Sequence, residues 1–311
     1  MRYIAYLLLS ATIFCSCIKK EEDPQVKSDR EFQEYISNNH IADSATHTAS
    51  GLYYMERLAG TGAQPVAGNY VLVNITGRLM NGTVVETNDS VMAHNKGLVC
   101  LTHTQRPYKC TVDYFGFAGV TEGLQMMKEG GKARLILPYS LAFGQFGTST
   151  IPYYSNLIYD IELVKVIPDI VLYDSLLVKA LVDSIKDFGS SIKDTVYFLS
   201  ETMGSVDTLK DNDTAEIIYT RRSVDGMLLS AEGTDEPLYA PVSDQPIGLR
   251  MGLLNMQAGG KASMLIKYKY GWGTSGIEDD INVGDYYKQQ IVPPYTSVIF
   301  DVEIKAVHKY K

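Results

Sequence analysis

The stretch GVTEGLQMMKEGGKA at residues 119–133 decides the fold, because it recurs as GLRMGLLNMQAGGKA at residues 248–262, 129 positions later. In the first stretch the apolar residues Val120, Leu124 and Met127 fall at i, i+4 and i+7, and this spacing predicts a short amphipathic helix. A Gly-Gly pair follows in both stretches, and we expect it to end the helix, because glycine readily adopts a left-handed cap. The chain therefore contains the same helix and helix stop twice.

Blocks on both sides of this stretch also recur, and in the same order. Asn81-Gly82 returns as Asp225-Gly226, 144 positions later, and Asp160-x-Glu162 returns as Asp301-x-Glu303, 141 positions later. Around the second of these blocks, apolar and polar residues alternate in the same phase in both copies, which predicts a half-buried strand in each. The period is far too long for a solenoid, so these offsets indicate a tandem duplication of one domain.

The copies differ in length at two places between the recurring blocks. Between the Gly82 turn and the helix the first copy is longer by 15 residues, the difference between the offsets 144 and 129. After Gly144 the second copy is longer by 12 residues, the difference between 141 and 129, and residues 275–290 fill that place. Loops of this kind usually decide which partner a domain binds.

The division of the chain follows from these blocks and from the helix breaker Pro168. We predict a signal peptide at residues 1–16, a tether at 17–30, a first domain with an N-terminal helix at 31–168, and a second domain with an N-terminal linking helix at 169–311. Apolar residues on one face predict these two helices, and Phe32 and Ile36 are examples from the helix at the start of the first domain. About 290 mature residues suit two domains that each have a core.

The N-terminus resembles the signal of a bacterial lipoprotein. The apolar stretch at residues 3–14 is too short to span a bilayer and is typical of a secretory signal. Cys17 follows the small residue Ser16 and is the predicted lipidation site, although Phe14 stands where leucine is usual. An ordinary secreted protein and an uncleaved anchor are the alternatives. We expect a protein lipid-anchored to the outer membrane, on its periplasmic or its surface face.

Charge and cysteine content narrow the function further. A net charge of −8 without a basic cluster argues against nucleic-acid binding. Cys100 and Cys110 remain after processing, and in an exported protein we expect them to form a disulfide. His94 and His103 lie in the same segment, but their spacing matches no familiar zinc pattern, so no metal site is predicted. The sequence shows neither a nucleophile paired with a base nor a phosphate-binding loop, so it gives no support for a hydrolase or a nucleotide-dependent enzyme.

Both copies resemble the domains of FKBP-type peptidyl-prolyl cis-trans isomerases. In the first copy the resemblance rests on the Thr-Gly strand end, the Asn-Gly turn, the Gly-Leu-x-x-Met helix, Gly-Gly-Lys-Ala, Phe-Gly, Ile-Pro and the closing Asp-x-Glu strand. The second copy keeps the order of these motifs, with Asp-Gly, Trp-Gly and Val-Pro as its variants. It implies an α+β fold of two tandem domains, each an antiparallel sheet curled around a short helix. It also implies that both length differences overhang the active-site cleft, that no cofactor is needed, and that proline-containing polypeptides are the substrates.

The resemblance assigns a cleft to the first copy. Its positions fall on Ile75, Val85, Glu86, Phe117, Val120, Phe143, Ile151 and Tyr159. Phe143 replaces the family's loop tyrosine, and the lost hydroxyl costs on the order of 1 kcal/mol, or about tenfold in rate. Glu86 replaces an aspartate and Val120 a floor tryptophan, so the resemblance implies weak or altered activity in this copy.

The cleft of the second copy departs further from the family. Its positions are Tyr219, Leu229, Leu249, Trp272, Val292 and Phe300. Tyr219 and Phe300 keep the family's residues, but Ser230 removes the carboxylate that Glu86 supplies in the first copy. Trp272, the only tryptophan, either covers the barrel mouth or stacks on a ligand. We expect this copy to be the less active one.

Two functions fit this sequence. The first is a prolyl isomerase that assists the folding of exported proteins, with activity mainly in the first domain and the membrane contacted only through the lipid. The second is a non-catalytic, chaperone-like lipoprotein that binds peptides or proteins on the same scaffold, because a fold does not fix a function.

Overall fold

The protein is described here by a computed structural model covering residues 22–102, 104–114, 117–185, 191–193, 196–205, 208–233, 236–283 and 287–310. The lipidation site predicted at Cys17 and the residue His103 lie outside these ranges. Among the described residues, none of the helices combines the length and the apolar character that crossing a bilayer requires.

The first domain is a seven-stranded antiparallel sheet that packs around one short helix. Its strands are β1 (Thr46–His47), β2 (Tyr53–Leu58), β3 (Tyr70–Leu79), β4 (Val84–Thr87), β5 (Tyr108–Thr111), β6 (Lys132–Leu137) and β7 (Leu157–Ile167). The strand order is β1-β2-β6-β7-β3-β4, and β5 also pairs with β3. Its helices are α1 (Pro24–Asn38), α2 (Ser90–Lys96) and α3 (Ala118–Met126).

The second domain repeats this topology strand for strand. After the linking helix α4 (Ile170–Ile185) come β8 (Ser191–Lys193), β9 (Val196–Thr202), β10 (Thr214–Ser223), β11 (Leu228–Glu232), β12 (Leu238–Pro241), α5 (Ile247–Leu254), β13 (Lys261–Ile266), β14 (Ile277–Val283), β15 (Tyr287–Val292) and β16 (Val298–His308). The order β8-β9-β13-β16-β10-β11, with β12 beside β10, is that of the first sheet. The α+β fold and the tandem duplication are therefore confirmed.

Each sheet buries one face against its own helix. On β7 the residues Leu157, Tyr159, Ile161 and Leu163 are at most 2% exposed, and their counterparts on β16 are at most 3% exposed. The alternation predicted for both strands is thus confirmed. A large apolar core fills each domain, and a smaller one lies under α1, where Phe32 and Ile36 pack against the outer face of the first sheet.

The ends of the helices differ from the sequence prediction. α3 ends at Met126 and α5 at Leu254, before the Gly-Gly pairs. Gly130 and Gly259 do have positive φ angles of 85° and 80°, but they form the turn into the next strand. Likewise α1 begins at Pro24, inside the predicted tether, because Asp23 caps it through the Gln25 amide.

Cys100 and Cys110 are both free and buried, so the predicted disulfide is not formed. Cys110 lies on β5 and belongs to the core of the first domain. Cys100 is not part of that core, although its neighbour Leu101 is, and its carbonyl accepts a 3.2 Å hydrogen bond from Gln289 Nε2 of the second domain. The two cysteine side chains therefore pack in different places, although they are close in sequence.

The domains contact each other through the extra segments that distinguish the two copies. The hairpin β14–β15 occupies the longer loop of the second copy, and its residue Gln290 forms a parallel bridge with Thr102 in the longer segment of the first. The linking helix is held to its own domain, because Asp174 accepts hydrogen bonds from the amide and the hydroxyl of Ser297 at 2.8 and 2.6 Å. Both extra segments thus take part in the interface between the domains.

Candidate active site

The structure brings the predicted cleft residues of the first domain together. β3 carries Ile75, β4 carries Val85 and Glu86, and β7 carries Tyr159. The seven apolar members belong to one cluster: Ile75, Val85, Phe117, Val120, Phe143, Ile151 and Tyr159. Glu86 joins them through Gly77, which pairs with Glu86 on one side and with Tyr159 on the other. Strands, helix and loop therefore converge on one apolar site.

Phe117 closes this site from the side of the helix. It is the N-cap residue of α3, and its ring lies 4.8 Å from that of Phe143 and 5.7 Å from that of Tyr159, between ring centroids. The floor residue Val120 beneath is fully buried. All eight predicted residues are at most 7% exposed, so the described side chains pack closely over one another and leave little of the lining accessible.

Gly77 is a site residue that the cleft assignment missed. A Cβ atom at this position would lie 2.8 Å from Tyr159 Cε1 and 2.9 Å from Glu86 Cγ, closer than real Cβ contacts. Only glycine therefore lets the ring and the carboxylate approach across β3. The signal was present in the sequence, because the Thr76-Gly77 strand end has Thr220-Arg221 as its counterpart in the second copy.

Glu86 is a carboxylate held in an apolar environment. It is 3% exposed, and its Oε1 has no hydrogen-bond partner among the described residues. Burial raises the pKa of Glu86 to about 7, and a hydrogen bond with Tyr159 opposes that rise. At neutral pH the site therefore holds a carboxyl group that can be protonated or ionised.

Asn88, just beyond β4, fixes the wall formed by β3 and β4. Its Oδ1 accepts a 2.7 Å hydrogen bond from the Ile75 amide, and its Nδ2 donates to the carbonyl of Arg106 at 2.9 Å. The side chain is 3% exposed, so these bonds are not exchanged for water. Nothing in the spacing of the sequence marks this residue, because a buried asparagine is recognisable only from its partners.

The predicted residues of the second domain also meet, around their own core. Leu229, Leu249, Val292 and Phe300 are at most 2% exposed, and the half-buried Tyr219 and Trp272 pack against them. The rings of Tyr219 and Phe300 stack with a centroid distance of 4.6 Å and an angle of 25°. The position of the cleft is therefore the same in both domains.

Arg221 fills this second cleft. Its guanidinium carbon lies 5.1 Å from the ring centroids of both Tyr219 and Trp272, which is within the range of a cation–π interaction. Its Nε donates to Ser230 Oγ at 2.7 Å, and Nη2 donates to the Tyr219 hydroxyl at 3.1 Å. With 6% of its surface exposed, Arg221 fills the space between the Tyr219 and Trp272 rings and Ser230. Trp272 therefore covers a filled cleft.

Comparison with known proteins agrees with this geometry. The family model for FKBP-type peptidyl-prolyl cis-trans isomerases matches residues 62–164 and 206–305. The FKBP-type peptidyl-prolyl cis-trans isomerase FkpA of Aeromonas hydrophila is 31% identical over 147 residues, which are 47% of this chain and 50% of that protein. The macrophage infectivity potentiator of Trypanosoma cruzi is 33% identical over 178 residues, 52% of this chain and 82% of that protein.

The solved structure of FkpA from Escherichia coli is also similar, with 29% sequence identity and a TM-score of 0.39. The match covers 46% of the present chain and 61% of the FkpA chain. The chain matches about half the length of the FkpA relatives.

Proposed function

Because the chain belongs to the family of FKBP-type peptidyl-prolyl cis-trans isomerases, we propose that it isomerises Xaa-Pro bonds in polypeptides and that the first domain carries this activity. The chemistry needs neither a nucleophile nor a metal. Its barrier of about 20 kcal/mol comes from amide resonance, so a site accelerates the rotation by holding a twisted amide away from water.

The observation that supports this assignment is the contrast between Gly77 and Arg221. In the first domain the glycine leaves Tyr159 and Glu86 side by side in an apolar site. In the second domain the arginine occupies the equivalent space and is held there by Ser230 and by two aromatic rings. We expect a prolyl ring to enter the first domain when the Phe117 ring moves away from Phe143 and Tyr159, which it now contacts.

A matched pair of variants tests this proposal in the chain of residues 22–311. Tyr159→Leu and Phe300→Leu replace the inward aromatic residue at equivalent positions of β7 and β16, which are 0% and 1% exposed. Both shorten a core side chain, so both lower stability to a similar extent. We expect Tyr159→Leu to reduce the isomerisation rate of a short Xaa-Pro peptide about tenfold or more, and Phe300→Leu to change it less than about twofold.

Exchange spectroscopy by NMR gives the rate without a coupled protease, and thermal unfolding shows that both variants are folded at the assay temperature. A wild-type chain without activity, or equal losses in the two variants, would contradict the proposal.

For the cellular role we propose a lipid-anchored folding helper of the cell envelope. The support is the N-terminal sequence, in which an apolar stretch precedes Ser16-Cys17. Expression in a bacterium that processes lipoproteins, followed by mass spectrometry of the mature N-terminus, tests this role. An acylated Cys17 is the expected result, and an unmodified N-terminus at any other residue would exclude it.

A second candidate function is non-catalytic binding of unfolded chains. It is favoured by the low exposure of the first cleft, whose eight residues are at most 7% accessible. Suppression of the aggregation of a proline-free client, without acceleration of Xaa-Pro isomerisation, would support this function instead of catalysis.

A further inference from the structure

Residues 98–102 and 104–107 of the first domain, which we call the insertion segment, are held by β15 of the second domain. The Gln290 amide donates to the carbonyl of Leu101 at 3.0 Å, and Gln290 Nε2 donates to the carbonyl of Lys109 at 3.0 Å. In return, Arg106 Nη1 donates to Gln290 Oε1 at 3.0 Å and Nη2 to the Gln290 carbonyl at 2.7 Å. One residue of the second domain thus binds three residues of the first.

Arg106 and Gln290 are deeply buried in this contact. Arg106 is 3% exposed and Gln290 is 2% exposed. The described contacts of Arg106 at the interface are oxygen atoms of the second domain, including the Ile291 carbonyl at 3.3 Å. A buried cation is strongly destabilised when its acceptors are lost, so we expect the docked position of the segment to depend on Gln290.

Two short chains of hydrogen bonds lead from Gln290 to the cleft of the first domain. In the first, Gln290 binds Arg106, the Arg106 carbonyl accepts from Asn88, and Asn88 accepts from the Ile75 amide. In the second, Gln290 binds the Leu101 carbonyl, and the Leu101 amide donates to the carbonyl of Thr87 at 2.9 Å, next to Glu86. Both end on the wall formed by β3 and β4, which carries Ile75, Val85 and Glu86.

We propose that Gln290 and Arg106 are positioning residues for the active site of the first domain. The second domain, whose own cleft is filled by Arg221, serves as the support that holds the β3–β4 wall in place through the insertion segment. The second domain thus binds the insertion segment of the first domain, which belongs to the same chain. This inference rests on the proposed isomerase function of the first domain, and its structural part can be measured independently of activity.

The test compares Gln290→Ala, Arg106→Met and Arg106→Lys with Thr104→Val in the chain of residues 22–311. Thr104 is the control because it lies in the same segment and its hydroxyl donates to the Leu228 carbonyl of the second domain, but it belongs to neither chain of hydrogen bonds. We expect kcat/KM for a Xaa-Pro peptide to fall about threefold to tenfold in Gln290→Ala and Arg106→Met, mainly through kcat. Arg106→Lys keeps a donor and recovers part of this loss, whereas Thr104→Val is unchanged.

Amide hydrogen exchange supplies the readout that is independent of activity. In Gln290→Ala and Arg106→Met we expect faster exchange at the Ile75 and Leu101 amides, while the Ala262 amide on β13 stays as in the wild type. Equal losses of kcat/KM in Thr104→Val and Gln290→Ala would overturn the inference, as would unchanged kcat/KM and exchange in Gln290→Ala. An inactive wild type would contradict the proposed function. The rate of hydrogen exchange at the Ile75 amide would then show by itself whether the second domain holds the wall formed by β3 and β4.

Discussion

Gly77 and Arg221 occupy the same position in the two domains and have opposite effects on the cleft. Gly77 lies on β3 opposite Tyr159 and Glu86, and Arg221 lies on β10 opposite Phe300 and Ser230. The glycine leaves space that the ring and the carboxylate fill together. The arginine fills that space itself, where it donates to the Ser230 and Tyr219 hydroxyls and forms an ion pair with Glu232 at 3.4 Å. The two domains thus differ in what fills the same position, a tyrosine ring and a carboxylate in the first and a guanidinium group in the second.

Removing the arginine should open the second cleft. We expect Arg221→Ala to lower the free energy of unfolding by about 2 to 3 kcal/mol, because its desolvated cation–π contacts and its hydrogen bonds are lost. The fluorescence of Trp272, the only tryptophan, should shift to longer wavelength as water reaches the ring. Urea unfolding and emission spectra measure both effects.

Arg222→Ala is the matched control for this variant. Arg222 is the next residue of β10, but it points to the other face and forms an ion pair with Asp301 while 39% of its side chain is exposed. Such a pair contributes at most about 1 kcal/mol, so a small change with an unshifted spectrum is expected. Similar spectra for Arg221→Ala and the wild type would show that the cleft is not filled by Arg221.

The duplication and the buried faces of the strands could be predicted because they follow from local pattern, whereas the cleft positions came from the resemblance to the family. Alternation on β7 and β16 fixes which residues face the core, and the recurring helix fixes what they pack against. What escaped prediction depends on partners that are distant in sequence. Asn88 is important because Ile75 and Arg106 meet it, and the burial of Arg106 depends on Gln290, 184 positions away.

The disulfide prediction failed for the same kind of reason. Proximity in sequence and an exported location favoured a bridge between Cys100 and Cys110, but Cys110 belongs to the core of the first domain and Cys100 does not, although its neighbour Leu101 does. Which surface each thiol packs on is decided by the tertiary structure and not by the separation of the two residues in sequence.

Restoring the hydroxyl of the loop residue should raise the activity of the first domain. Phe143 stands where the family has a tyrosine that donates to the substrate carbonyl, and one such hydrogen bond is worth about 1 kcal/mol, so Phe143→Tyr should increase kcat/KM by about fivefold to tenfold. Trp272→Tyr makes the same residue in the second domain and should leave the rate unchanged, because Arg221 occupies that cleft. An increase in Trp272→Tyr alone would move the activity to the second domain.

The thiols should behave as two free, protected groups. In residues 22–311 purified without reductant, two thiols should react after denaturation, and almost none in the native protein, since Cys100 and Cys110 are 8% and 3% exposed. Burial also raises the pKa of the Cys110 thiol far above its usual range, so little reactive thiolate forms. A disulfide would typically contribute about 2 to 4 kcal/mol, so a melting temperature that falls on adding reductant would contradict the free thiols.

Glu86 should make the stability of the protein depend on pH near neutrality. Burial raises the pKa of Glu86 to about 7 from an ordinary 4.5, so between these values the folded protein keeps a proton that the unfolded chain releases. Because the unfolded state then binds fewer protons, stability falls as the pH rises through this window, and the loss is complete above about pH 7.

Glu86→Gln keeps a neutral side chain of the same shape at every pH and should abolish this loss. Relative to the wild type, we expect the variant to gain about 2 to 3 kcal/mol more at pH 8 than at pH 5, since each unit of pKa shift corresponds to about 1.4 kcal/mol. Urea unfolding at the two pH values measures the difference, and because every other titrating group is common to both proteins, the comparison isolates Glu86. A difference that does not change with pH would mean that the carboxyl group is solvated and that the first cleft is open to water.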